Sequence, residues 1–214
     1  MPIRIIEDFY NWKTVVEVPV IEKFFPDIFR ETTALYVGVR PLGWGGCPEP
    51  NSLATYLNRA VSQGGIVVGL EAWPRYCELL RKNGPLWLSA LIEADICDLK
   101  TRIQITPKRF PLVIWWHGPE HAKTEKDLEM GLANCEALST GHVLLGTPWS
   151  ETSSNVTFGG FEGEPENPYE AHGFQPSAEW LSERGYEVIA LNCRRPEEKD
   201  KSVCGHLVCA KGTL

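Results

Sequence analysis

The stretch TALYVGVRPLGWGG, residues 33–46, begins as a buried strand and ends in a turn rich in glycine and proline. Its residues 34–40 form a near-continuous apolar run, which is typical of a strand covered on both faces of a parallel sheet. Gly38, near the end of that run, would let the backbone approach a ligand because it has no Cβ. The stretch therefore predicts a buried strand that leads into a ligand-binding turn.

Similar apolar runs recur along the chain and alternate with helical patterns. Strands are predicted at residues 34–40, 66–71, 91–96, 111–117, 142–147, 186–191 and 206–211. Helical spacing of apolar residues occurs in 52–63, 74–82 and 125–138 and in a short helix after Ser177. Alternating strands and helices form right-handed crossovers, so we predict an α/β fold with a doubly wound, mostly parallel sheet of seven strands. The last two strands have no helix between them, and the last strand is therefore expected to be antiparallel.

The length of the chain suits one domain with a small addition. Its 214 residues are 43% hydrophobic and 23% charged, which suffices for a sizeable core. We assign residues 34–214 to the α/β domain. Residues 1–33 carry apolar side chains such as Ile21 and Phe25 and are expected to form a helical preface.

Charge and hydropathy exclude several classes of protein. The formal net charge of −7 argues against a nucleic-acid-binding protein, which normally presents a basic face. No apolar run approaches the roughly 20 residues that span a membrane. The N-terminal MPIRIIEDFY lacks the cationic start and apolar centre of a signal peptide. We therefore expect a cytoplasmic protein, in which exposed tryptophans would favour a homodimer.

The seven cysteines include no CxxC pair, so neither a disulfide framework nor a zinc ribbon is expected. Cys204, His206 and Cys209 lie close together in CGHLVC and could bind a metal. The same run fits an alternating final strand with His206 and Val208 on one face, and we favour this interpretation. No metal site is predicted, and the thiols are expected to be reduced.

Two acidic residues follow successive predicted strands. Glu71 ends the second strand and Asp95 ends the third. Ligands of open α/β sheets bind at the carboxyl ends of the strands, where one carboxylate can accept hydrogen bonds from both ribose hydroxyls and another from an adenine amino group. Two structural alternatives remain. Glu71 can favour the positive end of the helix that starts at Pro74, and Asp95 can be a turn residue.

Five segments carry a resemblance to one enzyme family. They are VVGLEAWPRYCELLRK (67–82), LIEADICDL (91–99), PLVIWWHGPEH (111–121), GHVLLGTPW (141–149) and NPYEAHGFQPSAEWLSERGYEVIAL (167–191). In order and spacing the chain resembles the class I S-adenosylmethionine-dependent methyltransferases from about residue 34 to residue 212. The resemblance implies a Rossmann-like methyltransferase fold.

The resemblance also implies that S-adenosyl-L-methionine is the cofactor. The matching positions place its contacts at Gly38, Arg40, Glu71, Asp95, Ile96 and His117. The glycine-rich motif departs from the family pattern, because Tyr36 stands at its acidic position and Arg40 near the place of its second glycine. Arg40 either pairs with the methionine carboxylate of the cofactor or blocks that end of the site.

The acceptor is expected to be a small molecule with an oxygen or nitrogen nucleophile. Methyl transfer needs alignment and, for such nucleophiles, can need a general base. His117, at the end of the fourth strand, is the first candidate, and His172 is the second. His121 is interpreted as a helix-start or packing residue. The glycine-rich, acidic loop at 150–174 is either a lid over the site or a solvated loop.

Two other functions remain open. A methyltransferase-like fold that has lost catalysis and serves as a binding or scaffold protein is favoured by the broken glycine motif. Tryptophans near the predicted strand ends, such as Trp44 and Trp73, could then line a partner surface. A nicotinamide-dependent oxidoreductase is a weaker alternative because the chain lacks GxGxxG.

Overall fold

The computed structural model describes residues 3–6, 18–41, 53–98, 100, 109–149, 167–169, 172–192 and 205–213. Their strands are β1 (Ile3–Ile6), β2 (Ala34–Val37), β3 (Val67–Glu71), β4 (Ala90–Glu93), β5 (Phe110–Trp116), β6 (Ser139–Trp149), β7 (Glu187–Asn192) and β8 (Gly205–Gly212). Their helices are α1 (Val18–Phe24), α2 (Ala54–Ser62), α3 (Pro74–Asn83), α4 (Glu125–Leu138) and α5 (Ala178–Glu183), with a 3-10 turn at Pro119–His121. None of the described helices is both long and apolar enough to cross a membrane.

The strands form one sheet in the order β1-β7-β8-β6-β5-β2-β3-β4. All strand pairs in it are parallel except those of β8, which runs antiparallel to β6 and β7. The α/β class, the mostly parallel sheet and the antiparallel last strand are thus confirmed. The chain moves outward from β2 to β3 and β4 and then returns to β5 on the other side of β2. This reversal opens a crevice at the carboxyl ends of β2 and β5.

The core lies on both faces of the sheet, which explains the continuous apolar runs in the sequence. On β5, Val113 and Trp115 join a cluster with α4 and α5, whereas Ile114 and Trp116 join a second cluster with α1, α2 and α3. Successive strand residues point to opposite faces, so a strand covered twice must be apolar at nearly every position.

The sequence predicts seven strands and a helical preface, but the sheet has eight strands, because Ile3–Ile6 in the preface form a strand. This segment is β1, and it pairs with β7 in parallel register from Ile3 opposite Val188. β1 lies at the edge of the sheet and its residues are exposed or half-buried, so it lacks a buried apolar pattern, and its stability comes from the backbone groups of β7 that it satisfies. The preface does contain a helix, α1. The domain division at residue 33 stays a prediction.

Two strands end three residues earlier than predicted, and both ends shape the crevice. β2 stops at Val37, because Gly38 adopts φ +79° and turns the chain. β4 stops at Glu93, and the turn that follows is closed by the Asp98 N–H, which donates to the Asp95 carbonyl over 3.0 Å. The predicted site residues Gly38 and Asp95 therefore lie in turns rather than in strands.

Candidate active site

A cleft of about 350 Å³ lies at the carboxyl ends of β2, β3 and β5 and beside the turn after β4. Its lining includes all residues that the sequence predicted as cofactor contacts, namely Gly38, Arg40, Glu71, Asp95, Ile96 and His117. His172 is not among the described residues that line the cleft. The strand-end pattern therefore brings six predicted residues into one cavity and leaves His172 beside it.

Gly38 opens the cleft through its conformation. Its N–H donates to the Leu70 carbonyl over 2.8 Å, which ties the turn to β3. A Cβ on Gly38 would meet no atom within 4 Å, so its surroundings are open and the positive φ alone demands glycine. The later part of the opening stretch, with Gly43, Trp44, Gly45 and Gly46, lies outside the described residues.

Glu71 contacts the start of α3, as one of its two interpretations predicts, and it also lines the cleft. The residue is 6% exposed, and its Oε1 accepts a 2.8 Å hydrogen bond from the Trp73 N–H at the start of α3. This bond orients the carboxylate at the end of β3. The structural and ligand-binding interpretations are therefore compatible for this residue.

The turn after β4 is rigid because polar bonds hold it from two sides. The Asp95 carboxylate accepts a 2.8 Å hydrogen bond from the Cys97 N–H, which is a local side-chain turn. Asn134, a buried residue of α4, donates through Nδ2 to the Ile96 carbonyl over 2.7 Å and to the Asp98 carbonyl over 3.1 Å. The sequence did not lead us to predict a role for Asn134, although a polar residue among the apolar positions of α4 can indicate a buried hydrogen bond.

His117 lies where β5 gives way to the 3-10 turn. It has φ +50°, a conformation that is uncommon for a residue other than glycine, and its N–H donates to the Gly146 carbonyl over 2.9 Å. Its Nε2 lies 3.2 Å from Nε2 of His206, a buried residue of β8 whose ring stacks on Trp116. Desolvation and the nearby charge of Arg40 lower the pKa of His117 to about 4, so the ring is neutral at neutral pH.

The structure also decides between the two interpretations of CGHLVC. His206 and Cys209 both lie in β8, three positions apart, so they point to opposite faces of the sheet and cannot share a metal ion. Cys204 lies outside the described residues. The strand interpretation of His206 is therefore correct.

A different cluster of metal-ligand types lies beside the cleft. One ligand atom each from Glu120, His121 and His172 falls within 4.8 Å of the other two. His121 is the last residue of the 3-10 turn, and its ring packs edge-on against the ring of His172 with centroids 4.8 Å apart. The sequence predicts no metal site here, and the only local signal in it is a glutamate next to a histidine.

The loop predicted as a lid is described only in part. Of residues 150–174, positions 167–169 and 172–174 are described, and Glu162, Glu164, Glu166 and Glu170 lie outside them. Asn167 and Tyr169 line the cleft. The pKa of Tyr169 is raised by burial and by the charges of Asp95 and Glu71, which places the tyrosine beside the predicted cofactor contacts.

Comparisons with known proteins identify the fold. No protein-family model and no curated protein sequence matches the chain. The N-terminal domain of EvdMO1 with SAH (S-adenosyl-L-homocysteine) bound is 15% identical with a TM-score of 0.56, over 94% of this chain and 83% of that one. The glycopeptide N-methyltransferase MtfA complexed with S-adenosyl-L-methionine is 15% identical with a TM-score of 0.52, over 97% of this chain and 91% of that one. N-methyltransferase NodS from Bradyrhizobium japonicum WM9 is 10% identical with a TM-score of 0.51, over 92% of this chain and 97% of that one. The chain therefore has the Rossmann-like fold of class I methyltransferases.

Proposed function

We propose that this protein is an S-adenosylmethionine-dependent methyltransferase. The observation that carries the proposal is that Glu71 and Asp95, from the ends of adjacent parallel strands, open into one cleft beside the Gly38 turn. The cleft is of a size that accommodates small ligands, which is typically about 300–1,000 Å³. The fold is one in which related chains have been crystallised with this cofactor or its demethylated product.

The lining residues suit each part of the cofactor. Glu71 has one carboxylate oxygen on the Trp73 N–H, and its remaining acceptor capacity can take ribose hydroxyls. Asp95 can accept a hydrogen bond from the adenine amino group, and Ile96 offers an apolar wall. Arg40 is half-buried, lines the same cleft and can pair with the carboxylate of the methionine part.

The charge of the cleft also favours a cationic ligand. Among the residues that the structure describes, the cleft is lined by the carboxylates of Glu71, Asp95, Asp98 and Asp127 and by the cations Arg40 and Lys123. When bound, S-adenosylmethionine supplies a methyl group on a sulfonium sulfur, and that sulfur leaves with the electron pair of the broken carbon–sulfur bond. An acidic cleft attracts such a positively charged ligand.

We propose that the acceptor is a small molecule with an oxygen or nitrogen nucleophile. His117 lines the cleft next to Gly118, at the end of β5. Its Nδ1 lies 3.7 Å from the Glu120 carboxylate, which can stabilise a proton taken up by the ring. His117 is therefore the residue to which we assign proton removal from the acceptor.

Calorimetric titration with S-adenosylmethionine and S-adenosylhomocysteine tests the proposal. We expect micromolar binding of both, and Glu71→Gln should weaken it about 10-fold or more, because a hydrogen bond to a charged group is worth roughly 1.5–3 kcal/mol. Glutamine keeps an acceptor for the Trp73 N–H, so α3 should be unaffected. Glu93→Gln is the matched control, since Glu93 lies opposite Glu71 on β4 but is exposed and bonded to Arg81.

The titration also separates the proposal from its alternative. If neither ligand binds the folded wild-type protein at millimolar concentration, the enzyme proposal is wrong and the scaffold function replaces it. Equal losses in the Glu71 and Glu93 variants would show that Glu71 does not contact the cofactor.

A further inference from the structure

We infer that Glu120, His121 and His172 form a binding site for a divalent first-row transition metal ion. One carboxylate oxygen and two imidazole nitrogens lie within 4.8 Å of one another, which is close enough for small side-chain movements to bring all three onto one ion. Imidazole suits zinc, iron, cobalt and nickel, whereas magnesium and calcium prefer sites made of oxygen ligands. Three protein ligands leave coordination positions open for water or for a substrate atom.

Backbone bonds bring the distant histidine to the turn. Glu120 and His121 are neighbours in the 3-10 turn, and His172 comes from a separate loop. The Gly173 N–H donates to the Glu120 carbonyl over 2.9 Å, and the Phe174 N–H donates to the Ala122 carbonyl over 2.7 Å. A Cβ on Gly173 would lie 2.2 Å from the Ala122 carbonyl oxygen, so only glycine permits this approach. The two segments therefore hold the three side chains in a fixed relation.

Buried polar side chains hold the carboxylate in place. Glu120 is 1% exposed, and its Oε2 accepts a 3.2 Å hydrogen bond from the Thr147 hydroxyl. Gln175 donates through Nε2 to that hydroxyl oxygen over 3.0 Å and to the Pro148 carbonyl over 2.6 Å. Burying such a chain of polar groups costs free energy unless it is satisfied. Supporting bonds of this kind orient carboxylate ligands in metal sites.

The position of the site suggests its use, and this part rests on the proposed function. His121 lines the same cleft as Glu71 and Asp95, and it does so at the end of β5 rather than at β3 or β4. An ion there would lie on the β5 side of the cleft, next to His117 rather than next to Glu71 or Asp95. It would bind an oxygen of the acceptor and lower the pKa of a hydroxyl, which favours an oxygen nucleophile over an amine. The hydroxyl proton would leave to His117 or water as the new carbon–oxygen bond forms.

Metal binding is measured on the chelator-treated full-length protein without any methyl acceptor. Titration with Co²⁺, followed by its visible absorption, and with Zn²⁺, followed by calorimetry, should give one ion per chain. His172→Gln and Glu120→Gln should each weaken binding by about 10-fold or more, and Thr147→Val by roughly 10-fold through the lost support. His142→Gln is the matched control, because His142 lies at the other end of the sheet, where β6 pairs with Leu112 of β5.

The outcomes are distinct. Circular dichroism and thermal melting of each metal-free variant show whether it is folded, and the half-buried His172 gives a variant whose fold does not depend on a buried carboxylate. Absence of Co²⁺ and Zn²⁺ binding by the wild type, or binding that the His172 and Glu120 variants leave unchanged, overturns the inference. S-adenosylmethionine affinity is measured on the same samples. Retained cofactor binding without metal binding would refute the metal site alone, and the reverse would refute the proposed function alone.

Discussion

Replacing Asn134 by alanine should destabilise the fold and weaken cofactor binding without touching the cofactor. Asn134 is 1% exposed, and its Nδ2 supplies the hydrogen bonds to the Ile96 and Asp98 carbonyls. Each lost bond is worth about 0.5–1.5 kcal/mol, and a buried carbonyl left unsatisfied adds to the cost, so we expect a loss of roughly 2–3 kcal/mol. Because the turn that carries Asp95 would then have to be ordered on binding, cofactor affinity should fall about two- to tenfold.

The assay combines urea unfolding, followed by tryptophan fluorescence, with calorimetric titration of S-adenosylmethionine. Asn134→Asp separates packing from hydrogen bonding, because aspartate has nearly the same shape but no amide N–H to donate. It should cost at least as much stability as alanine. Asn83→Ala, at the exposed end of α3, is the control. A loss below about 0.5 kcal/mol in both Asn134 variants, the range of ordinary surface substitutions, would refute this account of the turn.

Three further predictions concern Arg40, His117 and His206. Arg40→Ala should weaken S-adenosylmethionine binding about 10-fold or more through loss of a charge-assisted bond and leave adenosine binding unchanged; tighter binding would mean that Arg40 blocks the site. His117→Asn, which tolerates the positive φ, should lower kcat by about 100-fold or more in an assay of S-adenosylhomocysteine release, with cofactor affinity kept; an unchanged kcat would rule out His117 as the base. Burial, with His117 facing it, lowers the pKa of His206 well below 6.5. The stability that the neutral ring supplies is therefore fully present above pH 6.5, the pKa of an unfolded histidine. Urea unfolding should show the free energy of unfolding falling as the pH drops below 6.5, by up to about 1.4 kcal/mol per pH unit. His206→Asn should flatten this slope, and an equal slope in both proteins would contradict the assignment.

Local patterns in the sequence are enough to predict the fold class and several of the residues that line the cleft. Strands covered on both faces must be apolar at nearly every position, so β5 and its neighbours are visible without knowledge of their partners. Glu71 and Gly38 could be identified because any residue at the carboxyl end of a central parallel strand faces the same crevice. These inferences need only local patterns and one rule of topology.

Features that depend on contacts between distant segments are visible only in the folded chain. β1 is a strand because β7 offers it backbone partners, whereas its own side chains are exposed or half-buried. The Asn134 contact with the turn after β4 joins two elements whose local patterns are unrelated. His172 lies next to Glu120 and His121 only because Gly173 approaches their turn closely. Hydrogen bonding and shape select these pairs in three dimensions, and a single sequence records neither the distance nor the direction between the partners.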